Sequence, residues 1–326
     1  MNDLSVCSGV LYFVGHDYSI LDYMIAVDLP VGTYVVAVSG GVDSVALLHL
    51  LYEMDRRAGL GHRFIVAHFD HGIRSDSDED RRHVQRLARH YGFPFVYEQA
   101  KLGPGASEAT ARAARYKFLH HVRHASGARA VITAHHQDDV IETALLNLLR
   151  GTGGRGLHSL RSRELVKRPL LDVKKKDLVH YAETNGLVWR DDSTNANTAI
   201  LRNYVRHKVV ADMGITRRSQ VLKHTKRAAE LSAEIDAIIA NYLHVQPTIN
   251  ELNRGSFIEL PHAVSREVLA AWLRNRAPTV ELNKKLLERL VVAAKTGRNG
   301  SRVDVASGYR LHLAPKTLTL VDITTT

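Results

Sequence analysis

The stretch TYVVAVSGGVDSVALLHLLYEM, residues 33–54, decides the fold. Its first six residues are β-branched or aromatic around one alanine, the composition of a strand buried on both faces. From Asp43 the spacing turns helical, with Val45, Leu48 and Leu51 or Tyr52 on one side. Between strand and helix stand Ser39, Gly40, Gly41, Val42, Asp43 and Ser44. A glycine pair at such a junction lets backbone N–H groups approach an anion closely, and the positive end of the next helix favours negative charge. The loop lacks the Gly-Lys-Ser/Thr of a Walker A sequence and the spaced glycines of a dinucleotide fingerprint. A tight turn capped by Asp43 would share this outline, but SGGxDS after VVAV is far more specific than SGG alone. The stretch predicts a phosphate cradle at the carboxyl edge of a parallel strand.

Outward from it the alternation repeats. RFIVAHF (63–69), FPFVYE (93–98) and AVITAHH (130–136) read as strands, followed by helices near 77–91, over 106–125 and over 138–150. This is an α/β pattern, predicting a Rossmann-like parallel sheet with helices on both faces. Glycine-rich GTGGRGL (151–157) follows, then RPLL (168–171), a helix over 173–185 and a basic helix near 198–213. A helix over 217–244 stops before Gln246-Pro247, and strands RVDVA, YRLHLA and LTLVD close a helix-rich remainder. The expected organisation is an N-terminal extension over 1–30, with VLYF (10–13) as a short strand, then a nucleotide-binding catalytic domain over 31–215. A helical connector over 216–245 and a small α+β domain over 246–326 complete it.

Charge is unevenly placed. Residues 1–149 carry 14 basic and 17 acidic side chains, whereas residues 150–227 carry 18 and 7, a net of +11. The last 99 residues carry 12 and 10. A short run such as Lys174–Lys176 is by default a solvated face, but a tract this unbalanced repels itself and suits a polyanion. One cysteine, Cys7, excludes a disulfide framework and a cysteine-rich zinc site. No apolar run reaches the roughly 18 residues that span a bilayer. The first basic residue is Arg56, so a signal peptide's basic n-region is absent. A cytoplasmic protein without a membrane partner is expected.

SGGVDS resembles the pyrophosphate loop of the PP-loop ATP pyrophosphatases, which split ATP between the α and β phosphates. The wider set resembles the tRNA(Ile)-lysidine synthase family: VAHFDHGIR (66–74), ARAARYKFL (111–119), TAHHQDDVIETALLNLLRGTG (133–153), RPLL, WRDDSTN (189–195) and RNYVR (202–206). The likeness is strong over roughly 33–245. It implies ATP and Mg²⁺ as cofactors, free L-lysine and a tRNA(Ile) with a CAU anticodon as partners, and a homodimer as an open assembly. The implied reaction adenylates O2 of the wobble cytidine, after which lysine displaces AMP to give lysidine, converting methionine to isoleucine identity. Longer family members carry a further C-terminal domain, so a short form is expected, with 246–326 binding tRNA. A PP-loop tRNA thiolase is the alternative enzyme, disfavoured by the single cysteine; a silent tRNA-binding protein with a nucleotide-sensing loop is the alternative of another class.

The resemblance also assigns roles. Asp43 and Asp139 are the catalytic and metal candidates; helix capping by Asp139 with Asp138 is the less favoured alternative. Arg112 is the catalytic arginine, and Arg115 a nucleotide contact with His68 and Ser39–Ser44. The neighbouring His71, His135 and His136 read as pocket hydrogen bonders rather than zinc ligands. Glu142 is expected at the lysine ammonium, with a surface ion pair as a close alternative, and Arg202, Asn203 and Arg206 at a phosphate or flipped base. Lys174–Lys176, Arg217, Arg218, Lys223, Lys226 and Arg227 extend a backbone-contacting track. The segment NTAIL before RNYVR departs from the family, where an aromatic is more usual. RNA affinity should fall with salt at a log–log slope of about −0.7 per phosphate contacted; an affinity indifferent to salt would remove nucleic acid as the tract's partner.

Overall fold

A computed structural model describes residues 4–7, 10–13, 29–72, 77–100, 102–103, 105, 107–190, 201–246, 248, 250–306 and 308–323. Ile73-Arg74, Asp191–Asn195 and Asn197–Ile200 of the quoted motifs, and Pro247, lie outside the described residues. Two compact units form, residues 1–228 and 229–326.

In the first unit, β1 (Leu4–Cys7) and β2 (Val10–Phe13) pair antiparallel with each other. The main sheet holds β3 (Thr33–Ala37), β4 (Arg63–Asp70), β5 (Phe95–Gln99), β6 (Ala130–Ile132) and β7 (Val166–Lys167). Its order is β5-β4-β3-β6-β7, and every pairing is parallel. Alternate residues of β3 leave by opposite faces, and both faces are covered. Tyr34, Val36 and Val38 pack against α1 (Val42–Ala58), α2 (Ser77–His90) and, further along the chain, α6 (Lys175–Thr184), through Leu47, Leu51, Val84, Ala88 and Leu178. Val35 and β6 residue Val131 meet Phe118, Leu119 and Val122 of α3 (Glu108–Ala125) on the other side. The Rossmann-like expectation holds.

Element limits largely follow the sequence reading, and four differences are informative. The stretch 130–136 is strand only to Ile132; the remaining residues descend to α4 (Gln137–Leu149), freeing Thr133–His136 to face the carboxyl edge. The loop 151–157 closes with one helical turn, α5 (Gly154–Leu157). Strand β7 escapes the pattern because two residues carry no periodicity; Val131 and Thr133 N–H groups donate to Leu165 and Lys167 carbonyls and hold it. The basic helix begins as α7 (Leu201–Tyr204) and continues as a π-helix over Val205–Val210. Helix α8 (Ile215–His244) then runs to the breaker pair.

The second unit is the expected α+β arrangement. Strands β8 (Glu251–Asn253), β9 (Arg302–Ala306), β10 (Tyr309–Leu313) and β11 (Thr317–Asp322) form an antiparallel sheet of order β8-β11-β10-β9. Leu311, Leu313, Leu318 and Leu320 pack with Phe257 of α9 (Arg254–Glu259), Leu269, Trp272 and Leu273 of α10 (His262–Arg276), and Leu290 of α11 (Lys284–Thr296). Buried Arg254 donates to the carbonyls of Ala294, Gly297 and Ala314 and to Asn299 Oδ1, tying the end of α11 to the sheet. Removing that side chain strands several buried acceptors at once. Arg254→Ala should cost about 3 kcal/mol in chemical denaturation, and a loss below about 1 kcal/mol would deny it this role.

Candidate functional site

Strand β3 has β4 on one side and β6 on the other, so consecutive connections leave in opposite directions. A crevice opens there, outside the carboxyl ends. The Ser39–Ser44 loop enters it from β3, and His135 with Asp139 enters from β6. The cavity, about 450 Å³, is also lined by His68, His71, Arg115, Lys175, Arg190 and Arg206.

Local chemistry shapes the loop. Gly40 sits at φ +98°, and a Cβ there would reach 3.4 Å from Val84 Cγ2, so a glycine is required. Ser44 Oγ accepts from the N–H groups of Ser39 and Gly40, both at 3.2 Å, and donates to the Gly41 carbonyl at 2.9 Å. The Gly40 carbonyl accepts from the Arg190 N–H at 3.0 Å, while the Arg190 side chain pairs with Asp80 and Glu79. The turn is thus held open by serine, and its helix N-terminus presents donors to the cavity.

An alternating chain of charges crosses the crevice. Lys175 Nζ lies 2.6 and 2.7 Å from the two Asp43 oxygens. His136 Nε2 is 3.7 Å from Asp43 and 3.5 Å from Asp139. Asp139 Oδ1 is 3.3 Å from Arg206, which grips both oxygens of Glu142 at 2.7 and 2.9 Å. Arg202 follows, 3.7 Å from Glu142 and bonded to Glu108. Burial pushes Asp43 up, but His136 and Lys175 outweigh it and hold the carboxyl below its usual range. Burial pushes His136 down, and the two carboxylates more than reverse that. Burial raises Glu142, which is 1% exposed, despite Arg206.

The histidines divide by environment. Burial lowers His68; its Nδ1 can only donate to the Val38 carbonyl, 2.9 Å away, which leaves Nε2 as an acceptor when the ring is neutral. Burial holds His135 well below its usual value, and Arg115, Arg168, Arg112 and Arg202 add to the effect; its Nδ1 is 2.8 Å from Thr133 Oγ1.

The sequence candidates therefore do not all share one place. Ser39, Gly41, Val42, Asp43, Ser44, His68, Arg115, Asp139 and Arg206 line the nucleotide-side cavity. Arg112 and Arg202 line a second one, about 750 Å³, with Tyr116, Thr143, Arg150, Arg163 and Arg168. The three-residue spacing of Arg112 and Arg115 suggests one face, yet their long side chains diverge. Glu142 and Asn203 are buried, Glu142 between the two linings through Arg202 and Arg206. Asp139 takes the capping role weighed for it, Oδ2 accepting from the His136 N–H at 2.9 Å at the start of α4, while Oδ1 faces Arg206. Lys175, read from sequence as part of the RNA track, instead belongs to the phosphate loop. Its only sequence signal is a position just inside the start of a helix that follows RPLL. Among the described residues no group of three or more His, Cys, Asp or Glu side chains could hold a metal.

Two features fit a nucleotide and its metal. Among the described residues, Arg115 Nε is buried without a hydrogen-bond partner, a donor beside the phosphate loop. Asp43 and Asp139 meet at one imidazole, and two carboxylates plus phosphate oxygens form a donor set that Mg²⁺ accepts.

Comparison with known proteins agrees with this geometry: residues 22–213 match the PP-loop domain. The chain belongs to the PP-loop domain family. Within it, the chain is 44% identical over 257 residues to the tRNA(Ile)-lysidine synthase of Thermus thermophilus, covering 75% of this chain and 49% of that protein. It is 34% identical over 280 residues to that of Exiguobacterium sibiricum, covering 83% and 66%. The chain thus spans about half the length of the first relative. The U34-tRNA thiolase NcsA of Methanococcus maripaludis, solved with its [4Fe-4S] cluster, shares the PP-loop fold. Its TM-score is 0.53 at 16% identity, over 65% of this chain and 76% of that one.

The charge chain makes a pH-dependent prediction. Arg206→Met leaves Glu142 buried without its guanidinium, which should cost about 3 kcal/mol at neutral pH. A carboxyl raised in the folded state binds more protons there than when unfolded, so stability returns as pH falls through the raised range. Asp43, held low, loses its stabilisation over the acid range in both proteins, so variant and parent are compared at each pH. Denaturation showing the same deficit at acid and neutral pH would sink the assigned pair.

Proposed function

We propose that this PP-loop protein ligates lysine to C2 of the wobble cytidine of a tRNA(Ile) with a CAU anticodon, through an adenylated tRNA. The observation that carries this reading is the pair of cavities joined by the Arg202–Glu142–Arg206 bridge. One holds a phosphate loop, and the other is cationic with a tyrosine, suited to a phosphate-bearing unstacked base. Similarity to curated tRNA(Ile)-lysidine synthases supports the substrate assignment.

In this reading ATP lies on Ser39–Ser44 with the α-phosphate toward Arg115, whose unmet Nε would bind the charge that grows during transfer. His68 Nε2 offers an acceptor for an exocyclic amine of the nucleotide base. Asp43 and Asp139 would hold Mg²⁺, which would neutralise phosphate charge when bound. The cytidine O2 attacks the α-phosphate and pyrophosphate leaves. Lysine carries both charge signs, so its carboxylate and an ammonium can exchange for the Arg206–Glu142 pair. The attacking ε-amine must first lose a proton, having a free pKa of about 10.4. Glu142, raised by burial, is the better-matched acceptor. The amine then adds to C2 and AMP departs with the O2 oxygen.

Purified protein given Mg-ATP, labelled lysine and unmodified tRNA(Ile) bearing CAU should transfer label to that tRNA and release AMP. No transfer beside an active control enzyme would refute the proposal.

A further inference from the structure

Two pieces of the pattern line the second cavity without an individual role in the steps above: the tyrosine that ends ARAARY, and the arginine that opens RPLL. The fold brings them together. The Tyr116 hydroxyl accepts from Arg168 Nη2 at 3.1 Å and, at longer range, from Arg112 Nη2 at 3.4 Å. Its ring lies under both helix neighbours, with the Arg112 guanidinium 4.9 Å and that of Arg115 5.6 Å from the centroid. Arg168 is itself fixed: its N–H donates to Ser162 Oγ at 2.8 Å, and its Nη1 to the Arg161 carbonyl.

Three guanidiniums held around one ring should repel, and Arg202 adds a fourth nearby. The carboxylates of Glu108 and Glu142 are already engaged by Arg202 and Arg206. A ring face and a phenolic oxygen help to offset the repulsion here, because both are electron-rich, and Asp139 adds to the effect at Arg115. They also serve different cavities. Arg112 and Arg168, which reach the hydroxyl, line the second cavity, whereas Arg115, which meets only the ring, lines the first.

We propose that Tyr116 is a positioning residue with two separable functions: its hydroxyl aims Arg112 and Arg168 into the second cavity, and its ring holds Arg115 against the nucleotide phosphates. The first half rests on the reading of the second cavity given above. Consistent with the geometry, Arg112, Arg168 and Arg115 outweigh burial and lower the phenol's pKa.

Phenylalanine keeps the ring and deletes the oxygen; leucine deletes both. The probes are a non-hydrolysable ATP analogue and an anticodon stem-loop RNA bearing CAU, with dissociation constants measured for each and melting curves as a control on folding. Tyr116→Phe should weaken the stem-loop about tenfold and leave the analogue within about twofold. Tyr116→Leu should weaken the stem-loop at least as much and the analogue about fivefold as well. A merely structural residue would shift both ligands together with the melting point. Phenylalanine that changes neither affinity, or both equally, overturns the proposal, and this holds even where the leucine variant does not fold. If the parent protein binds no stem-loop, the reading of the second cavity fails, and the ring's function is judged on the analogue through the leucine variant.

Discussion

The carboxyl edge of the parallel sheet depends on the alternating series Lys175, Asp43, His136, Asp139, Arg206, Glu142, Arg202 and Glu108. Each member is held by neighbours of opposite sign, so none is a lone buried charge, which would be costly. The series also fastens together segments far apart in sequence: the loop after β3, the start of α6, the first turns of α4, α7 with its π-helix, and the start of α3. A sheet with both faces covered supplies rigid strand ends, and the charges fix what leaves those ends.

Much of this was legible in TYVVAVSGGVDS. Buried-strand composition, two glycines and a following amphipathic helix leave few alternatives, and the same reasoning located the other strands near His68 and His135. What stayed hidden depends on side-chain direction. KKK at 174–176 reads as a uniform positive run, and nothing in it marks Lys175 as the residue facing Asp43. Arg112 and Arg115 share a helix face by spacing, yet their long side chains reach different cavities. Strands of two or three residues, β7 and β8, carry too few side chains to show a period.

The net charge of +11 over residues 150–227 also changes meaning on inspection. Part of it is internal: Lys175, Arg202, Arg206 and Arg218 are spent on Asp43, Glu108, Glu142 and Asp138, which lie earlier in the chain. The basic tract therefore completes the acidic half of the first unit, and only the remainder is surplus. Sequence bookkeeping by segment overstates that surplus because it separates partners that the fold unites.

The π-helix at Val205–Val210 contains Arg206 and has a consequence of its own. Such a turn closes over five residues instead of four, so it contains one more residue than the path requires. Its contribution to the site is a matter of arithmetic, not of side-chain identity. Deleting one residue between Arg206 and the end of the π-helix would let the stretch rewind as an ordinary helix, keeping the Arg206 and Glu142 side chains but rotating Arg206 relative to the chain that follows it. That orientation is written in the length of the chain at that point, a kind of information that substitution alone cannot change.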